Sequence, residues 1–143
     1  MSYRLLDHTA DLALEVQAPT RDALFAEAAA ALTDCLTDRE RIAERASRAV
    51  ALAAPDLGTL MVDWLTDLLV AFEVQGFLAA RARVEVGGRE GEWTLSAEVW
   101  GEPRDEARHP LKTLVKGITY HQLEVAPLPE PAGGWRARIT LDL

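Results

Sequence analysis

DLGTLMVDWLTDLLVAFEVQG, residues 56–76, is the stretch from which the rest of the chain can be placed. Apolar side chains recur through it at i, i+3 and i+4, Asp56 offers an N-cap oxygen, and Gly76 stands where a left-handed residue ends a helix. The spacing predicts a helix over Leu57–Gln75. Upstream, Pro55 closes a weakly alternating run, residues 47–53, that carries Val50 and Leu52 and reads as a strand. Downstream, alternation from Phe77 through Val84 and Val86 resumes from Trp93 to Trp100, which predicts a β-hairpin turning at Gly87-Gly88.

Further out, Leu12, Leu14 and Val16 alternate with Ala13, Glu15 and Gln17, the period of a half-buried strand, and residues 3–6 form a shorter candidate. Thr20 can cap a segment in which Leu24, Phe25, Ala28, Leu32, Cys35 and Leu36 recur at helical spacing, ending near Asp38. Residues 102–112 hold two prolines and many charges without a period, so they read as a loop, and long loops in compact domains are often functional. Strands over residues 118–126 and 135–141 follow, joined by a Pro/Gly-rich turn containing Gly133-Gly134. The pattern is that of one α+β domain, residues 1–143, with a mainly antiparallel β-sheet and two main α-helices packed on one face.

A chain of 143 residues can bury one sizeable core without disulfides. Its lone Cys35 falls at an apolar helix position and reads as a small core residue, compatible with a reducing compartment. No secretory signal and no apolar run of roughly 20 residues is visible, which leads to the expectation of a soluble, cytoplasmic protein with no membrane partner. The net charge of −8 disfavours a free-standing RNA binder, since phosphate backbones are held by clustered Lys and Arg. The nearest approach to such a cluster, Arg39, Arg41, Arg45 and Arg48, is interleaved with Asp38, Glu40 and Glu44.

Three groups of residues carry possible chemistry. Asp7-His8-Thr9-Ala10-Asp11 sets two carboxylates and an imidazole at the start of a strand, although Asp7 and Thr9 can equally make turn hydrogen bonds with His8 merely packed. In the tail, Ile139, Leu141 and Leu143 share one strand face and Asp142 points to the other, where it is either solvated or, if the two ends of the chain meet, crowded against Asp11 and the Leu143 carboxylate. Like charges about 4 Å apart repel by roughly 4 kcal/mol at an effective dielectric of 20, so that crowding invites a cation. Oxygen-only ligation suits Ca²⁺, Mg²⁺ or Mn²⁺, and His8 or His121 as an added ligand would tilt the choice to Mn²⁺ or Zn²⁺. The third group, Val115-Lys116-Gly117-Ile118-Thr119-Tyr120-His121, puts Lys116 and Tyr120 on one strand face by parity and His121 on the other; it could contact phosphate or an acidic partner, or be a core-edge aromatic beside a solvated charge. Phosphate-binding glycine loops, His-Glu-x-x-His and Gly-x-Ser-x-Gly are missing from the sequence.

Taken together, the Asp7 to Asp11 motif, the Lys116 to His121 motif, the Leu141-Asp142-Leu143 ending and the central helix around residues 60–69 resemble the archease family along the whole chain. The resemblance implies a divalent-metal site built from Asp11 and Asp142 with an oxygen of Leu143, and supporting or partner-activating roles for Asp7, His8, Lys116, Tyr120 and His121. It also implies a non-enzymatic activator that helps an RtcB-type RNA ligase in tRNA splicing or RNA repair, promoting guanylylation of the ligase and multiple turnover, with RNA touched only through the ligase. Gly117 stands where the family's strand usually has alanine, and Gln122 where an acidic residue often follows the histidine. The competing readings are a stand-alone metal-dependent phosphoester hydrolase using Asp7, His8, Asp11, His121 and Asp142, and a chaperone-like binding module in which the metal is only a staple.

Overall fold

A computed structural model describes residues 11–143. The candidate strand over residues 3–6, and with it Asp7 and His8, lies outside the described residues.

The described elements run β1 (Asp11–Ala18), α1 (Arg21–Leu36), a single 3-10 turn (Arg39–Arg41), β2 (Ala46–Ala54), α2 (Leu57–Gln75), β3 (Phe77–Arg89), β4 (Glu92–Pro103), β5 (Gly117–Pro127) and β6 (Trp135–Asp142). The fold is α+β, and all strand pairs among the described residues are antiparallel. The strands divide into two three-stranded sheets, ordered β1-β6-β5 and β2-β4-β3. That division is invisible to strand periodicity, because alternation marks a strand's buried face and not its neighbour.

Both helices start and stop where local chemistry requires. Thr20 Oγ1 accepts the Ala23 amide at 3.1 Å, and Asp56 Oδ1 accepts the Thr59 amide at 2.7 Å, so each N-terminus has its orphan donors partly satisfied. Gly76, at φ 68°, closes α2 in the left-handed region. Against each other the helices are locked by Trp64, fully buried, whose indole N–H donates to the Phe25 carbonyl at 2.9 Å. Helix α1 packs on β1 and β3, and α2 packs on β5, β2 and β3, so each helix buries its apolar stripe against strands of both sheets. The apolar face of β1 meets Leu141, Ile139 and Ala137 of β6 through the pairs Leu12↔Leu141, Leu14↔Ile139 and Val16↔Ala137.

The β3–β4 hairpin turns at Glu90-Gly91, not at Gly87-Gly88. Gly87 and Gly88 remain in the ladder opposite Thr94 and Trp93, and Gly88 takes φ 104° where a Cβ would run into the Glu92 carbonyl. Glycine in a strand thus marks a close backbone approach here and not the reversal. Glu102 and Pro103, expected in a loop, belong to β4. Cys35 is partly buried against the core, and burial pushes its thiol above the usual value. No helix among the described residues is long and apolar enough to cross a membrane.

Candidate functional site

Strand β6 is the middle of its sheet, so its last residue has a neighbour on either side. Asp142 pairs with Asp11 of β1 and with Gly117 of β5. Directly opposed residues of an antiparallel pair point to the same face with Cβ atoms about 4.5–5.5 Å apart, so the two aspartates stand side by side. Both are exposed, while Leu141, one residue back, is fully buried on the opposite face. The Lys116 amide donates to the Asp142 carbonyl at 2.7 Å, which brings the lysine's backbone to the same point. Leu143 is partly buried and packs on the core.

The rest of this sheet face treats acidic side chains differently. Glu15 faces Arg138 in register and accepts from its Nη1 at 3.1 Å, and Glu124 pairs with Arg136 at 2.6 Å. Asp11 and Asp142 take part in no ion pair among the described residues. Like charges set directly across a ladder are destabilising, whereas opposite charges are favourable, so the register point that, alone among the described residues, opposes two carboxylates stands out. Its donor set, two carboxylates with main-chain oxygens nearby, suits a hard oxygen-seeking cation. Among the described residues no group of three or more His, Cys, Asp or Glu is gathered for metal ligation, so His121 does not join the pair.

The Lys116 to His121 segment departs from the strand parity expected of it. Lys116 precedes β5, which pairs regularly with β6 through Thr119↔Thr140 and resumes at Glu124↔Arg138. Tyr120, His121, Gln122 and Leu123 therefore oppose Ile139 alone, a wide bulge with Gln122 at φ 51°. Thr119 Oγ1 donates to the Thr140 carbonyl at 3.1 Å and accepts the His121 amide at 3.2 Å, and Thr140 Oγ1 donates to the His121 carbonyl at 2.9 Å. The result is that Tyr120, 58% exposed, and His121 both face solvent. Parity alone would have separated them; the bulge puts both on the surface.

Between β4 and β5 lies a buried polar cluster that sequence reading did not single out. Glu102 and His109 are 1% and 0% exposed. Glu102 accepts from Arg108 at 2.8 Å, from the Ala43 amide at 2.7 Å and from His109 Nε2 at 3.1 Å, with Arg45 at 3.3 Å. The Arg108 guanidinium first, and then the Ala43 amide, hold its carboxyl down at about 2. In sequence these residues were only part of a charged, proline-bearing loop, with nothing to say which charges turn inward.

The archease protein family model matches residues 3–143. The chain belongs to the archease family. Similar proteins include protein archease of Methanosarcina barkeri, 36% identical over 99% of this chain and 95% of that one, and protein archease of Methanopyrus kandleri, 34% identical over 100% of both. The solution structure of Methanobacterium thermoautotrophicum protein 1598 superposes with a TM-score of 0.77 at 27% identity, covering 94% of each chain. The archease match thus spans both aspartates and the strands that carry them, and the fold of this chain is that of a solved structure of similar length.

Proposed function

We propose that the protein is an auxiliary factor of RNA processing that binds a divalent cation through Asp11, Asp142 and a main-chain oxygen of Leu143, and that it activates an RtcB-type RNA ligase. Membership of the archease family supports the auxiliary role in RNA processing. The observation that carries the site is the register pair Asp11↔Asp142, unmatched by arginine on a face where Glu15 and Glu124 are matched. Ca²⁺, Mg²⁺ or Mn²⁺ held there would supply positive charge able to offset charge on phosphate oxygens during nucleotidyl transfer. The covalent step, guanylylation, belongs to the ligase. What this chain contributes is a charged edge: two carboxylates, the neighbouring Lys116, and Tyr120 and His121 raised on the β5 bulge for contact with the ligase surface. A net charge of −8 favours its encounter with a basic cleft.

Single and repeated turnover of the cognate RtcB-type ligase, measured with and without the protein, tests this reading. Wild type should raise the number of turnovers per ligase, and Asp11→Ala and Asp142→Ala should not. Absence of stimulation by wild type, or phosphoester hydrolysis by the purified protein without ligase that Asp11→Ala abolishes, would overturn it.

A further inference from the structure

We propose that His109 is a proton-operated latch on the segment joining β4 to β5, residues 104–116. The segment is held by few means. Of its residues only His109 and Val115 are buried, while Leu111 and Leu114 are 40% and 69% exposed. Polar bonds do most of the holding: the Arg104 amide donates to the Gly76 carbonyl at the end of α2, Thr37 Oγ1 to the Pro110 carbonyl, and the Lys112 amide to the Leu36 carbonyl at the end of α1. The far end is the Lys116 amide on the Asp142 carbonyl, so the segment is strung between the His109 cluster and the aspartate pair.

The hydrogen bonds of His109 assign its ring proton. Nδ1 accepts the Asp105 amide at 2.9 Å, a role that only an unprotonated nitrogen can fill. The ring's hydrogen is therefore on Nε2, shared between the Arg41 carbonyl at 3.2 Å and Glu102 Oε2 at 3.1 Å. A second proton, on Nδ1, would turn this acceptor into a donor aimed at a backbone N–H. The Asp105 amide has no other acceptor in the cluster, and Asp105 organises the turn: its Oδ1 accepts the Ala107 and Arg108 amides and its carbonyl accepts the His109 amide.

Charged groups surround the ring on several sides. From the segment itself Arg104, Arg108 and Asp105 face it, and from β4 and the approach to β2 come Glu102 and Arg45. The 3-10 turn presents the Arg41 carbonyl, and the end of α1 contributes only Leu36 and Thr37. A cationic ring would be attracted to Glu102 and to the Asp105 carboxylate, but the first is already shared with Arg108, Arg45 and the Ala43 amide and the second with the Ala107 and Arg108 amides. Protonation of Nδ1 thus breaks the bond from the Asp105 amide, and the turn around Asp105 opens with it. The latch acts on backbone and holds whether or not a cation sits at Asp11 and Asp142.

Amide exchange by NMR on the full chain in chelator, corrected for the intrinsic pH dependence, reads the latch directly between about pH 7.5 and about pH 5.5. In wild type, protection at Asp105 and across residues 104–112 should fall about tenfold or more with the midpoint of the His109 ring titration, while amides of Leu95 and Ile139 keep theirs. His109→Gln, which cannot titrate, should show no such step. Equal loss in His109→Gln, a ring titration that leaves the Asp105 amide unmoved, or a ring that keeps its single proton down to global unfolding would each overturn the proposal. Should His109→Gln fail to fold, coincidence of the two wild-type midpoints decides.

Discussion

Replacing Asp11 by Asn should stabilise the protein in chelator and destabilise it relative to wild type when a divalent cation is present. Asp11 and Asp142 are directly opposed on an exposed sheet face, and like charges in that position cost about 0.2–1 kcal/mol. The same figure follows from Coulomb's law, about 1 kcal/mol for unit charges 4 Å apart in a water-like dielectric. Asn keeps the shape and has a similarly poor strand preference, so the repulsion is the main quantity that changes. At roughly 2–4 °C per kcal/mol for a chain of this size, the variant should melt about 1–3 °C above wild type in chelator. With Ca²⁺, Mn²⁺ or Mg²⁺ at 100 times its dissociation constant, wild type gains about 2.7 kcal/mol and the order of melting temperatures inverts. Thermal melts followed by circular dichroism, at ionic strength matched with a monovalent salt so that screening is constant, make the measurement. A wild type whose melting point no divalent cation raises, or an Asp11→Asn variant that rises equally, refutes the reasoning.

Three further outcomes follow from single substitutions. The Glu102 carboxyl titrates at about 2 in the fold against 4.5 ordinarily, so the stability it confers is complete above pH about 4.5 and lost as pH falls towards 2. Urea unfolding should put Glu102→Gln roughly 2–3 kcal/mol below wild type near pH 7, with the gap narrowed by about half or more at pH 3; a gap independent of pH contradicts the assignment. Gly117→Ala meets no atom within 4 Å, so it should be neutral or stabilising by up to about 1 kcal/mol. Gly101→Ala would drive its Cβ into the Leu78 carbonyl beside the β3 irregularity, and should lower the midpoint steeply or prevent folding.

How much of the site was legible differs from residue to residue. Asp142 was readable as the outward residue of an amphipathic strand, because Ile139 and Leu141 fix the parity and both are fully buried. That Asp11 lies opposite it was carried by family likeness alone, since pairing between positions 11 and 142 leaves no local trace. Tyr120 and His121 were misplaced by parity because the bulge is set by Thr119 and Thr140 hydroxyls acting across the ladder, a contact between strands. Gly87-Gly88 looked like the stronger turn signal than Glu90-Gly91, yet glycine serves tight backbone approach as readily as reversal.

By itself the sequence determined the elements: both helices with their Thr20 and Asp56 caps, the Gly76 stop, and the strands whose apolar residues repeat every second position. These depend on contacts within a few residues, where propensity, capping and periodicity act. Tertiary structure alone decided which strands share a sheet, that two aspartates at opposite ends of the sequence stand in register, and that Glu102 and His109 turn inward while their charged neighbours stay outside. Each of these is a pairing between distant segments, fixed by the burial of the whole core and by hydrogen bonds that exist only once it has formed.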